Sequence, residues 1–208
     1  MRKPGVLSER RGVAMVEFAL SLTFLIPLLL GTFIFGFRLI RSIQMSQITR
    51  DLGHMYIRGI DFRNTGPQAN AQTLASGFDL SSTGKSLIVL SKIKLIQQVD
   101  CDAANATVGI PAGQTCANLG KTVFIEQLTV GSTSIAGSQF GTPTPTTSSS
   151  VSVKDQGRTS TTRTSNFDPI LALKAGEFAY VCEMFNQTPE LDVPGLSGQP
   201  QVYARTIF

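Results

Sequence analysis

The chain is 208 residues long, 42% apolar and only 15% charged, against roughly 25% charged residues in ordinary soluble domains. That length excludes a large multidomain enzyme, and the composition excludes both a disordered chain and a highly charged nucleic-acid binder. The formal net charge of +4 is concentrated at one end, where Arg2, Lys3, Arg10 and Arg11 stand against Glu9. The remainder is nearly neutral and offers no basic surface to a nucleic acid.

From Val13 to Phe37 the chain reads VAMVEFALSLTFLIPLLLGTFIFGF, with Glu17 as the only charge. As a helix this stretch measures roughly 37 Å, against a hydrocarbon core of about 30 Å, so it is long enough to span a bilayer with some tilt. Residues 13–38 therefore read as a transmembrane helix, the alternative being a buried helix of a soluble core. Pro27 favours the bilayer reading, because a membrane helix tolerates it as a kink. A secretory signal peptide is a further alternative, but the apolar run is longer than usual and ends in Phe37, Arg38, Leu39 and Ile40 rather than an Ala-x-Ala-like site. Basic residues flank both ends of the span, with Arg38, Arg41 and Arg50 following it. The short basic head is placed in the cytoplasm and the large remainder outside.

Arg10-Arg11-Gly12 stands immediately before the span, and Glu17-Phe18 begins five residues past Gly12. This junction resembles the leader of type IV pilin-like proteins. The resemblance implies that a prepilin peptidase cuts between Gly12 and Val13 on the cytoplasmic side, removing residues 1–12 as a leader and retaining the span. With Val16-Glu17-Phe18-Ala19-Leu20, Pro27-Leu28-Leu29-Leu30 and Phe35-Gly36-Phe37-Arg38, the segment from 10 to 41 resembles TadE-like proteins, pseudopilins of the tight-adherence (Tad) pilus system. That implies a minor pilin or pseudopilin of the bacterial inner membrane, with a periplasmic C-terminal domain that the pilus carries outside the cell. The implied partners are the prepilin peptidase, other pilin and pseudopilin subunits, the inner-membrane assembly platform and the lipid bilayer.

Glu17 and Phe18 are the candidate assembly residues. Once Val13 carries an ammonium group, Glu17 lies four residues on, about 6 Å along the helix and on the same face. A carboxylate in apolar surroundings is costly unless paired. In a bundle of apolar helices the ammonium of the same or a neighbouring subunit is the natural partner, and that requirement would fix register. The alternative is that Glu17 lies at headgroup level.

Residues 39–59 read as an amphipathic continuation of the helix, with Met45, Ile48, Leu52 and Met55 forming one apolar stripe and Gly59 ending it. A short helix follows from about Pro67 to Ala75. Four strands are predicted at Leu87–Val99, Thr122–Val130, Glu177–Phe185 and Val202–Phe208, although the second is partly apolar on both faces. The fold class is α+β: a long N-terminal helix, transmembrane then amphipathic, packed on an antiparallel β-sheet domain spanning 60–208. Within that domain residues 137–166, rich in Ser and Thr, read as a mobile surface loop without a core. Phe167, Ile170, Leu171 and Leu173 after it form a helical turn that docks back.

Cys101 and Cys116 bracket a hairpin-like excursion and are the disulfide candidates, with Cys182 left as a core thiol. Pairing of Cys182 with either stays open. Catalytic and metal readings lack parts, so neither a catalytic residue nor a metal or other cofactor is assigned. His54 is the single histidine, on the polar side of the helix, and Gly84-Lys85-Ser86 has Asp79 where a P-loop needs its first glycine. The reading is thus a non-enzymatic pilus subunit. The competing reading is an uncleaved single-pass protein whose external domain binds a ligand or a cell-envelope partner.

Overall fold

A computed structural model describes residues 6–188 and 201–208, with side chains from Gly12 onward. Two compact units divide at residues 41 and 42, and helix α1, Val6–Ile57, runs through both. The first unit is the apolar part of α1. Among the described residues α1 is the one helix long and apolar enough to be a candidate membrane span.

The second unit starts with the last turns of α1, followed by α2 (Thr65–Leu74), β1 (Ser86–Leu95), α3 (Gln98–Ala106), β2 (Thr122–Gly131), α4 (Val153–Arg158), β3 (Phe178–Gln187) and β4 (Gln201–Ile207). Among the described residues every strand pairing is antiparallel, in the order β2-β1-β3-β4. The helix-and-sheet class read from the sequence is therefore present. Gly59, at φ +83°, stops α1. The Ile60 amide reaches back to the Met55 carbonyl at 3.2 Å, which satisfies an otherwise orphaned acceptor.

Alternation along the strands gives each face of the sheet its own apolar packing. On one face Ile88, Leu90, Leu128, Val130, Cys182 and Met184 meet Met45, Ile48, Leu52 and Tyr56 of α1 and Ala71 of α2. The predicted stripe therefore does pack inward at Met45, Ile48 and Leu52, with Met55 only half-buried and Tyr56, absent from that stripe, buried instead. On the other face Ile93, Phe124, Ala179 and Val181 pack with Phe140, Val151 and Phe167. The mixed faces of β2 have a cause: Lys92 pairs with Glu126 but Ile93 pairs with Phe124, so Ile125 is an extra residue and the parity of β2 reverses there. Phe124 and Leu128, which share parity in sequence, thus serve different cores.

Two expectations are corrected. The first strand ends at Leu95, not Val99, and the residues read as the start of a hairpin-like excursion form α3. The Gln97 amide and the Lys94 ammonium both donate to the Asp100 carboxylate, at 3.1 and 2.7 Å, holding the first turn of that helix against the strand end. The Ser/Thr-rich stretch 137–166 is not a loop without a core. It holds α4 and a 3-10 turn at Ser160–Thr162, and it buries Phe140, Val151 and Thr162. With few apolar side chains, it is held largely by hydrogen bonds. The Val151 amide donates to the Ile125 carbonyl and the Gln127 amide to the Ser149 carbonyl, both at 2.9 Å, so the stretch runs along the outer edge of β2. Phe167 docks as predicted and Leu173 is partly buried, whereas Ile170 and Leu171 are exposed.

Candidate functional site

The apolar part of α1 has nothing of its own unit to bury against. Val13, Val16, Phe18, Leu20, Phe24, Leu28 and Phe33 are all more than half exposed. Fourteen large apolar side chains exposed between Val13 and Phe37 far exceed the scattered apolar residues of a soluble surface. The hydroxyl side chains Ser21, Thr23 and Thr32 within this run are turned inward upon the helix. The Ser21 hydroxyl donates to the Glu17 carbonyl at 2.9 Å, Thr23 to Ala19 at 2.9 Å, and Thr32 to Leu28 at 2.6 Å. Each hydroxyl hydrogen is satisfied without water, as an apolar surrounding requires. Pro27 lies inside the helix, where its missing N–H withdraws one bond from the turn before it.

Val13, Val16, Glu17 and Leu20 recur at three- and four-residue steps and so share one exposed face of α1. The 3.6-residue turn brings Val13 and Glu17 onto it together. Gly12 lies within α1, and beyond its own helical turns no group stands within 4 Å of where a Cβ would be. Phe18 is exposed on the same run. The basic residues Arg2 and Lys3 lie outside the described residues, as do the side chains of Arg10 and Arg11.

In the second unit Cys101, on α3, is bonded to Cys116, with Cα atoms 5.2 Å apart, and Cys182 is a buried free thiol. Burial pushes the Cys182 thiol well above its ordinary range, with Glu183 adding to the effect, so it is poorly nucleophilic. The disulfide sits where α3 meets α4: Gly157 comes so close to α3 that a Cβ on it would stand 2.4 Å from the Ala104 Cβ. Asn118, fully buried, donates to the Gln156 and Thr159 carbonyls at 2.8 and 2.9 Å and accepts from Arg163 at 2.6 Å. Two carboxylates hold neighbouring turns. Asp155 is kept below the usual carboxylate range by the Ser152 hydroxyl and then Thr159, and Asp102 by the Gly113 amide and then Gln98.

Sequence reasoning missed Glu183, which is completely buried in β3. Its carboxyl oxygens accept from the Ser138 hydroxyl, from the Gln139 amide at 3.0 Å and from the Tyr203 hydroxyl at 2.8 Å. No local pattern announces such a residue, since Glu183 reads simply as a polar position in an alternating strand. Helix α4 did carry a signal: Ser152-Val153-Lys154-Asp155 has the spacing of a capping box, and the Ser152 oxygen accepts from the Asp155 amide at 3.2 Å. His54 is exposed on α1 beside the Phe208 ring, 4.6 Å between centroids. Ser86, the last residue of the P-loop-like run, opens β1 rather than a helix. Among the described residues no group of three or more His, Cys, Asp or Glu side chains is placed to hold a metal ion.

No curated protein and no solved structure matches the chain. Residues 12–52, which run from Gly12 through the exposed apolar helix to Leu52 in the core, match the family model described as TadE-like protein, a likeness that suggests a Tad pilus-associated protein.

Proposed function

We propose that the chain is a minor pilin or pseudopilin that a prepilin peptidase cuts between Gly12 and Val13, after which its apolar helix enters a Tad-type pilus or the assembly platform at its base. The observation that carries this reading is that Val13 and Glu17 share one exposed face of a helix with no other charge from Val13 to Phe37. Cutting after Gly12 creates an ammonium group beside the one carboxylate that needs a partner. In a bundle of such helices, pairing of Glu17 with an ammonium of the same or the neighbouring subunit sets the axial register. Phe18 packs next to it against the neighbouring helix. The basic head lies in the cytoplasm and the sheet unit in the periplasm, where a disulfide persists. The protein's role is structural and not enzymatic: its partners are the peptidase, other pilin and pseudopilin subunits, the platform and the bilayer.

Two measurements test this. Intact-mass analysis of chain extracted from cells with an active prepilin peptidase is expected to give Val13 as the first residue; retention of Arg10 defeats the cleavage and favours an uncleaved single-pass receptor or scaffold. Replacing Glu17 with Ala removes a charge that is costly in lipid, so membrane insertion is expected to be unchanged or easier while assembly fails. Normal pili from Glu17→Ala cells would show that the carboxylate merely sits at the headgroups.

A further inference from the structure

The two edges of the sheet are treated differently. The outer edge of β2 is covered: the Gln127 amide donates to Ser149, the Val151 amide to Ile125 and the Thr164 amide to Thr122, each at about 3 Å. At the other edge, Phe208 and Tyr180 exchange both backbone bonds at 2.9 Å. In an antiparallel ladder that fixes the phase, so Thr206, Ala204 and Val202 face Cys182, Met184 and Asn186 of β3 as hydrogen-bonded pairs. The N–H and C=O groups of Gln201, Tyr203, Arg205 and Ile207 consequently point away from the sheet. Among the described residues none of these outward groups has a partner.

Natural edges are blunted by proline, lysine, bulges or a covering segment. β4 contains no proline or lysine, and its register against β3 is unbroken from Ile207 to Gln201. Its single charge, Arg205, lies over the Phe140 ring at 5.1 Å and so is committed to a face of the sheet rather than to the edge.

We propose that this edge is an interaction surface for a second copy of the chain, β4 pairing antiparallel with β4 about Ala204 to make one continuous eight-stranded sheet. The choice of occupant follows from self-complementarity. Centring on Ala204 sets Tyr203 of each copy opposite Arg205 of the other, and Gln201 opposite Ile207, so all four outward residues exchange bonds. The cation then neighbours an aromatic ring, a favourable pairing. Sliding by one pair toward the C-terminal end would place Arg205 against Arg205, which is unfavourable. The pairing is isologous and closes with two copies. It is independent of cleavage at Gly12, so either idea stands if the other fails.

Amide hydrogen exchange on the purified full chain in detergent, read residue by residue, tests this without a substitution. Amides of Val202, Ala204 and Thr206 are protected whether or not the edge is paired. Those of Tyr203, Arg205 and Ile207 are expected to become protected at least tenfold as protein concentration is raised. Solvent-like exchange at these three across the whole concentration range overturns the proposal. The register is read by co-expressing Tyr203→Cys and Arg205→Cys full chains in the native membrane under mild oxidation. A product of twice the chain mass is expected from the mixture and not from either variant alone. A product joined to a different polypeptide, or one formed equally by a single variant, overturns self-pairing in this register. Should either variant fail to fold, the exchange pattern of the unmodified chain decides.

Discussion

Glu183 is the residue whose replacement the structure prices most directly. Substitution by Ala removes the acceptor of three donors: the Ser138 hydroxyl, the Gln139 amide and the Tyr203 hydroxyl. Ser138 and Tyr203 are partly exposed, so water can serve them after a small shift, and each lost bond costs about 1 kcal/mol rather than the full penalty of a buried orphan. The vacated side-chain volume lies in a completely buried position and adds about 1–2 kcal/mol. Glu183→Ala is therefore expected to lower stability by about 4 kcal/mol. Glu183→Gln keeps the volume and retains an oxygen for Gln139 and Tyr203, while the Ser138 hydroxyl can rotate to accept from the new amide. Its expected cost is therefore about 1 kcal/mol or less. Urea unfolding of the full chain in detergent measures both, and hydrogen exchange at residues 138–141 reports whether the segment detaches first. A loss under about 1 kcal/mol for Ala would mean that this carboxyl does not hold the segment. Equal losses for Ala and Gln would mean that charge, not hydrogen-bond geometry, matters.

Cys101→Ser is expected to lower stability by about 3 kcal/mol in the chain-entropy picture of a loop of this length, without changing the first residue of the mature chain, measured by urea titration beside intact mass. Gly157→Ala drives a methyl group to 2.4 Å from Ala104, where α4 backs onto the disulfide, and is expected to cost about 1–3 kcal/mol by the same titration. Because the folded-state pKa values of Asp155 and Asp102 lie below the ordinary value, their contribution is full above about pH 4 and is lost as pH falls further through the folded values. Unfolding titrations between about pH 2 and 6 are expected to show that decline, with a shallower slope in Asp102→Asn and Asp155→Asn chains.

The proposed edge pairing and the proposed helix assembly make different demands on the same protein. In the proposed bundle register rests on one charge at Glu17, whereas in the proposed edge pairing it rests on the sequence of outward amides and side chains along β4. A chain that used both would reject a wrong neighbour in two places by position rather than by strength of binding.

What the sequence by itself determined was whatever depends on local pattern. The apolar run from Val13 with its lone Glu17 and the preceding Arg11-Gly12 is legible because length, charge and spacing are properties of a continuous segment. The stripe Met45, Ile48 and Leu52 and the approximate places of the four strands follow from periods of 3.6 and 2 that need no knowledge of neighbours. Tertiary structure decided the rest. The bulge at Ile125, which sends Phe124 and Leu128 to different cores, exists only as a relation between two strands. Helix α3 is braced by a lysine on the preceding strand and joined through a disulfide to a cysteine after the intervening loop. The Ser/Thr-rich stretch looks unable to fold because its order comes from β2's unpaired edge, from Asn118 and from Glu183. Backbone edges and buried acceptors leave no periodic trace in the segment that they hold, since any residue with an amide can use them. Burial of Glu183 likewise depends on three donors arriving from distant parts of the chain, which only the folded sheet brings together.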